Sequence, residues 1–354
     1  MKIYIDGRCF SSEHWAGVAR YVMNLIEFLS ESKPSFKLFV VSHRTIRHKN
    51  RFPSRVFFQE FNKLKLIPGF FFIFLCSIFL DRNAIFLGTS HAVPIGWKGK
   101  NYLVIHDFCY RLFPDTMTFI NRHLQRISIM VSLRATDKVI FVSKYTMRLF
   151  SELFSDIEHK YQKNLASNTV NRFFTSNNNF DVATIDSFSK LKPGNFLLYV
   201  GSLEPRKNID LVIQTLSKER SLRSQSLVIA GSNSWKSDHI PHLIQSLDLV
   251  NRIHFITNAK DADLKWLYSN CSAFIFPSKY EGFGIPPFEA YACGAKVIAT
   301  TKSEIKYYHH LPNVFMYDPD KDDLGAIINR VIKVDFISPD MSLLPAINLD
   351  FLDK

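Results

Sequence analysis

No Cys-x-x-Cys pair occurs in this sequence of 354 residues, and its five cysteines, Cys9, Cys76, Cys109, Cys271 and Cys293, are scattered, mostly inside apolar runs. An odd, dispersed set argues against a disulfide framework or a zinc site and fits buried thiols in a reducing cytoplasm. Neither G-x-G-x-x-G nor G-x-x-x-x-G-K-[ST] is present, which removes the usual nicotinamide and P-loop readings. The opening residues, Met-Lys-Ile-Tyr-Ile-Asp-Gly-Arg, read as a strand and a turn without the apolar stretch of a secretion signal, so the mature chain is expected to start at or near Met1. The most membrane-like run, Leu66 to Leu80, is shorter than the roughly 20 residues of a spanning helix and contains Pro68-Gly69. Two readings of it stay open. It can be a buried helix of an N-terminal domain. Alternatively, with the basic stretch His43 to Arg55 just upstream (Arg44, Arg47, Lys49, Arg51, Arg55 and no acidic residue), it can make peripheral contact with an anionic membrane.

What is there suffices for two cores. A content of 47% hydrophobic and 21% charged residues is that of a globular protein, and single cores stop growing near roughly 250 to 300 residues. The formal charge of +12 favours anionic partners, whether nucleic acid, lipid headgroups or diphosphates, without choosing among them. Apolar runs alternate with helix-like stretches, the pattern of parallel strands with crossover helices. Strands are expected at Ile3 to Asp6, Lys37 to Val41, Ala84 to Leu87, Tyr102 to His106 and Lys138 to Val142, with helices over Val18 to Leu29 and Thr118 to Arg134. A second series of strands follows, at Phe196 to Val200, Leu227 to Ala230, Arg252 to Ile256, Ala273 to Phe276 and Lys296 to Ala299. The expected organisation is an α/β chain with one Rossmann-like domain over 1–175, a linker over 176–195, a second Rossmann-like domain over 196–335 and a divergent or truncated tail over 336–354. Two such domains would face each other across a cleft, with ligands beyond the carboxyl ends of the strands.

The segment from Phe276 to Thr300 carries the most chemistry. A strand ends at Pro277, a loop with Gly282, Phe283 and Gly284 follows, and Pro286-Pro287 opens a short helix closed by Gly294, the usual asymmetry of proline at the start and glycine past the end. Amides at that start suit a phosphate, and the glycines let a ligand approach the backbone. Glu281 in the loop and Glu289, placed in the first helical turn, can accept hydrogen bonds from vicinal hydroxyls. They can equally be a solvated loop residue and a partner of the helix dipole. A second block, Tyr199-Val200-Gly201-Ser202-Leu203-Glu204-Pro205-Arg206-Lys207-Asn208, ends a strand at Gly201 and sets a guanidinium and an ammonium on the next loop, suited to a diphosphate that gains charge as a bond breaks. Asp261-Ala262-Asp263 imitates a metal-binding D-x-D but precedes a helix, where acidic residues cap amides. His239 and His242 flank Pro241, and His309-His310 lacks partners, so no metal site is expected.

Glu281 and Glu289 with seven residues between them, followed by Ala290-Tyr291-Ala292-Cys293-Gly294, resemble the E-x7-E motif of the family 4 (group 1) retaining glycosyltransferases of GT-B fold. The Gly201 to Asn208 block resembles that family's diphosphate-binding loop. Ala16-Gly17-Val18-Ala19-Arg20-Tyr21 is similar to its glycine-bearing loop facing the donor phosphates, and Val104-Ile105-His106-Asp107 to the strand end whose histidine contacts the transferred sugar. Ser90-His91 would line the acceptor pocket. The resemblance covers roughly residues 1–335.

It implies transfer of a hexose with retention of configuration and no bound metal or other cofactor. Arg206, Lys207 and the helix start would hold the leaving diphosphate, Glu289 the ribose, Glu281 the sugar hydroxyls and His106 the sugar's other edge. Gly17, Gly201, Gly282, Phe283, Gly284 and Ile285 would line the donor. Sequences with the Glu-Pro-Arg-Lys-Asn loop resemble mannosyltransferases of bacterial surface polysaccharide (lipopolysaccharide O-antigen or capsule), so GDP-mannose is the expected donor, with UDP-hexoses and dTDP-rhamnose open. The acceptor is expected to be a glycan or a polyprenyl-diphosphate-linked oligosaccharide at the inner face of the plasma membrane, and nucleic acid is not an expected partner. Rival readings are a sugar-nucleotide epimerase and a catalytically inactive scaffold or binding protein. Two departures feed the latter: Asn168-Thr169-Val170-Asn171 stands where the family has a glycine-bearing turn, and the residues after Val334 lack its long final helix.

Overall fold

The computed structural model describes every residue except 14, 16, 176–190, 232–236, 350, 351, 353 and 354. It divides into two compact units, Met1–Thr169 with Pro345–Lys354, and Val170–Leu344. The first unit therefore stops at Thr169 rather than 175, and the last ten residues return to it instead of forming a separate tail. Most of the expected linker lies outside the described residues.

In the first unit the order is β1 (Lys2–Asp6), α1 (Gly17–Ser32), β2 (Lys37–Ser42), β3 (Val56–Glu60), α2 (Gly69–Phe79), β4 (Ile85–Gly88), β5 (Lys100–Ile105), α3 (Cys109–Leu112), α4 (Phe119–Ala135), β6 (Lys138–Phe141), α5 (Lys144–Leu153) and β7 (Gln162–Leu165). The strands form one sheet, β3-β2-β1-β4-β5-β6-β7, and all its pairings are parallel. Its central strands read as unbroken apolar runs because helices cover both faces of a parallel sheet. Strand order reverses between β1 and β4, and that is where such sheets place ligands. The end of the unit is held by an amide pair. Asn24 on α1 donates from Nδ2 to Asn168 Oδ1 at 3.2 Å and to the Thr169 carbonyl at 2.9 Å, so asparagine fills the place of the expected glycine turn.

The Leu66 to Leu80 run divides between its two expectations. Phe72, Ile73, Phe74 and Cys76 of α2 are buried with Tyr4, Val41 and Phe86, while Phe71, Leu75 and Ile78 form an exposed stripe at helical spacing. No helix among the described residues is long and apolar enough to cross a membrane.

The second unit runs α6 (Arg172–Thr175), β8 (Phe196–Val200), α7 (Ile209–Lys218), β9 (Ser226–Ala230), α8 (His239–Ser246), β10 (Ile253–Ile256), α9 (Asp261–Asn270), β11 (Ala273–Phe276), α10 (Ile285–Ala292), β12 (Val297–Thr300), β13 (Val314–Tyr317) and α11 (Leu324–Val331). Its sheet, β10-β9-β8-β11-β12-β13, repeats the same doubly wound order, and its core includes Leu197, Tyr199, Val212, Leu227, Ile275 and Ile298. The chain thus carries two parallel-sheet Rossmann-like domains. Asp263 accepts from the Lys260 amide at 2.8 Å and so caps α9, as expected of the D-x-D look-alike. His239 and His242 correct the sequence reading, because both lie on α8. Pro241 falls in its first turn, where no N–H is needed, and His239 Nε2 meets Asp210 Oδ2 at 2.7 Å.

Candidate active site

In the second unit, the carboxyl ends of the adjacent strands β8 and β11 bring the two sequence blocks together. After β8 the chain makes a 3-10 turn over Pro205–Lys207, started by proline and ended by Asn208 in the left-handed region. This turn carries Arg206 and Lys207 side by side. The loop after β11 is tied to it by the Lys279 amide, which donates to the Arg206 carbonyl at 2.9 Å, and by Arg206 Nη1, which donates to the Tyr280 carbonyl at 2.6 Å. Glu281 is thereby fixed between the two cations. Its Oε1 lies 2.8 Å from Arg206 Nη1 and 2.6 Å from Lys207 Nζ, with the carboxylate side chain only 11% exposed. Burial pushes the Glu281 carboxyl up, but the charges of Arg206 and then Lys207 outweigh it and hold the pKa at about 2. Glu204 extends the cluster, meeting Arg206 Nη2 at 3.3 Å and accepting from Ser202 Oγ at 2.9 Å.

Glycine geometry shapes both loops. A Cβ on Gly231, the residue after β9, would sit 1.9 Å from the Gly201 carbonyl oxygen, so Gly231 must be glycine for the Gly201 turn to close. Nothing in the sequence reading flagged it. Gly284 has φ +83, and its Cβ would meet the Phe276 ring at 2.9 Å. As N-cap of α10 it has no side-chain cap. Pro286 and Pro287 have no N–H, so of the four amides that open a helix only those of Gly284 and Ile285 remain to meet an anion. The expected phosphate site at this helix start is therefore narrower than a bare helix end. Gly282 and Phe283 are buried, the latter with its ring tilted against that of Phe288 at 4.9 Å.

Glu289 is the fifth residue of α10, one residue deeper than expected and so in the second turn. It is 2% exposed, and its Oε2 accepts from the Tyr268 hydroxyl at 3.2 Å. Two hydroxyls on the flanking loops, Ser278 and Ser303, are buried without a hydrogen-bond partner among the described residues and can serve a bound polar ligand.

The first unit gathers a second polar group at the carboxyl ends of β1, β4 and β5. His106 Nε2 lies 2.7 Å from the Thr89 carbonyl, so that nitrogen carries the proton and Nδ1 is the acceptor of the neutral ring. Burial lowers the His106 pKa and keeps the ring neutral. Its ring packs edge-on against Tyr21 at 5.1 Å and His91 at 5.6 Å. His91 has a left-handed backbone, φ 59, a buried Nδ1 without a partner among the described residues, and a pKa lowered to about 4 by burial and then by His106. Asp6, fully buried, forms a two-pronged pair with Arg8 at 2.9 and 2.7 Å, and Arg8 Nη2 also donates to the Ser90 carbonyl at 3.1 Å. This Asp6–Arg8 pair was not singled out from sequence, although two charges straddling a strand-end glycine are its signal. Gly17 opens α1, exposed, with open space where a side chain would project.

Residues 183–336 match the family described as Glycosyl transferases group 1. The O-antigen chain mannosyltransferase RfbU of Salmonella typhimurium is 29% identical over 245 residues, 68% of this chain and 63% of its own length; the match thus spans less than two thirds of that relative. Among solved structures, a sucrose-phosphate synthase from Thermosynechococcus elongatus aligns with TM-score 0.67 at 18% identity, covering 93% of this chain and 88% of its own. Anabaena HepE, solved in complex with UDP-glucose, aligns with TM-score 0.66 at 17% identity, covering 94% and 89%. The stretch 183–336 is accordingly similar to the group 1 glycosyl transferases, in a chain that carries the two-domain GT-B fold.

Proposed function

We propose that this protein is a retaining glycosyltransferase that moves a hexose from a nucleotide sugar to a glycan or polyprenyl-diphosphate-linked oligosaccharide in bacterial surface polysaccharide assembly, with GDP-mannose as the first donor to test. The observation that carries the reading is the convergence of Arg206 and Lys207 on Glu281 at the carboxyl ends of β8 and β11, inside the segment that matches the family. The mannosyl and O-antigen parts rest on RfbU, and the nucleotide-sugar part gains support from HepE in complex with UDP-glucose. Neither the epimerase nor the scaffold alternative is favoured by these matches.

As the glycosidic bond to the diphosphate breaks, negative charge grows on the leaving oxygen. Arg206, Lys207 and the amides of Gly284 and Ile285 are preorganised donors for that charge and need little rearrangement to meet it. Glu281 and Glu204 together balance the two cations, so donor binding exchanges partners: the diphosphate takes the cations and the Glu281 carboxylate turns to sugar hydroxyls. Glu289 would accept from the ribose hydroxyls, with Tyr268 fixing its orientation. A neutral His106 offers Nδ1 as an acceptor for a hydroxyl of the transferred sugar. Metal-free catalysis by these groups belongs to the same proposal.

Peripheral membrane contact at an inner leaflet is proposed for α2, whose exposed Phe71, Leu75 and Ile78 follow the exposed Lys63, Lys65 and Leu66, an apolar stripe beside cations. A panel of nucleotide sugars tests the donor. The cognate one should stabilise the fold by about 2.7 kcal/mol at a hundredfold excess over Kd and yield a retained product with a lipid-linked acceptor. If no nucleotide sugar shifts the melting midpoint and none is consumed, the reading fails.

A further inference from the structure

The first unit contains a cavity of about 450 Å³ bounded by α3, α4 and the chain after α5, a volume in the range of small-molecule sites. Its wall is cationic and its floor is not. Arg111, Arg122 and Arg126 line it together with Met130, Leu153 and Phe154. Arg122 and Arg126 are four residues apart on α4 and therefore share a face, where two like charges repel. Arg111 is held across the cavity with its guanidinium 5.1 Å from the centre of the Phe154 ring. Among the described residues none of the three has a carboxylate within 4.0 Å, and Asp156 is the one acidic residue in the wall. Three guanidiniums against one carboxylate leave a surplus of two positive charges over an apolar floor.

Such a surplus fits a phosphate monoester or a diphosphate, whose oxygens match the guanidinium fork. The apolar surface extends beyond the cavity. Phe119, Ile120 and Ile127 of α4 are 73%, 68% and 50% exposed. By helical spacing Phe119 lies on the arginine face, while Ile120 and Ile127 form a ridge beside it. Tyr110, also in the wall, follows His106 by four residues, so the cavity lies by the carboxyl end of β5. We propose that this cavity binds a phosphate or diphosphate ester of a long apolar chain, the anion on Arg111, Arg122 and Arg126 and the chain on Met130, Leu153, Phe119 and the Ile120–Ile127 ridge. The binding is independent of what the second unit does; that such an ester is the acceptor rests on the glycosyl-transfer reading.

The test is calorimetry on the full chain with farnesyl diphosphate, compared with pyrophosphate, farnesol and phosphatidylglycerol vesicles. Farnesyl diphosphate should bind at least tenfold more tightly than pyrophosphate or farnesol. Arg122→Ala/Arg126→Ala should weaken it at least tenfold, with the circular dichroism spectrum and the affinity for GDP and UDP unchanged. Phe119→Ser/Ile120→Ser should weaken farnesyl diphosphate but not pyrophosphate. Undiminished binding in the arginine variant overturns the proposal, as does pyrophosphate binding as tightly as the prenyl ester. Arginine-dependent binding of vesicles with none of farnesyl diphosphate also overturns it, assigning the surface to membrane headgroups. If nucleotide sugars fail to bind while these results hold, the donor reading falls and the cavity stands.

Discussion

The ammonium of Lys207 lies 2.6 Å from Oε1 of Glu281, the oxygen that Arg206 also reaches, at 2.8 Å. With Glu204 counted, the four side chains sum to no net charge. The two cations and two carboxylates thus form a closed, neutral cluster, and on the glycosyl-transfer proposal a diphosphate has to open it.

Replacing the carboxylate should separate binding from turnover. Glu281→Gln leaves the cluster one charge more positive, so the affinity for a nucleoside diphosphate should rise by about threefold to tenfold, on the order of 1 kcal/mol. Transfer should fall by about two orders of magnitude or more, as when one preorganised transition-state contact is lost. Calorimetry with GDP and UDP beside a radiolabelled transfer assay reads both; unchanged turnover would remove Glu281 from the site.

The two cations should differ in what their loss does to the fold. Arg206→Ala removes the tie to the Tyr280 carbonyl as well as a charge, whereas Lys207→Ala removes the charge. Both should abolish transfer, but the arginine variant should lose at least about 1 kcal/mol more stability, the worth of a charged hydrogen bond. Urea denaturation of the two variants compares them directly.

Acid should find the Glu281 cluster. Its carboxyl is held at about 2, against 4.5 for an ordinary glutamate, so the unfolded chain binds the proton more readily. The associated stability is fully present above about pH 4.5 and is lost as pH falls towards 2, roughly 3 kcal/mol in all. The pH dependence of unfolding in that interval should flatten in Glu281→Gln.

A second window belongs to the histidine pair. His91 is depressed to about 4 from 6.5, so its neutral form favours the folded state above pH 6.5, and that contribution drains away as pH falls towards 4. His91→Asn should lessen the decline in melting midpoint between pH 6.5 and 4. A decline as steep as in the parent protein would show that His91 is already charged in the fold.

Gly231→Ala drives a methyl into the Gly201 carbonyl. Since backbone rather than a flexible side chain is in the way, the loss should be about 2 to 4 kcal/mol, with reduced nucleotide affinity from displacement of the Arg206 turn. Thermal melts with and without GDP measure the two effects.

The buried strands were legible because burial on both faces leaves an apolar run that ends where the strand ends. Thus β8 and β11 have the bounds read from sequence, Phe196–Val200 and Ala273–Phe276. Three edge strands were missed. In β7, Gln-Lys-Asn-Leu, and in β3, which ends in Gln59-Glu60, polar residues face outward and break the run. In β13, Val-Phe-Met-Tyr, the run is apolar but only four residues long. For the candidate site, local spacing showed which residues sit on the two loops of the second unit. It could not show that both cations share one oxygen, because that follows from β8 and β11 being neighbours. The Asp6–Arg8 pair reaches Ser90 for the same kind of reason, since β1 and β4 are adjacent in the sheet while 82 residues apart in the chain. Glu289 falls in the second turn rather than the first because the helix starts at Ile285, one residue before Pro286.

The last ten residues belong with Met1–Thr169, and Leu349 and Leu352 are buried there. Topologically, the second unit is an insertion within the first. A ribosome delivers Val170–Leu344 whole before it delivers the final piece of the earlier-started unit, so the later unit is the first that can finish folding, reversing the usual N-to-C order of domain completion.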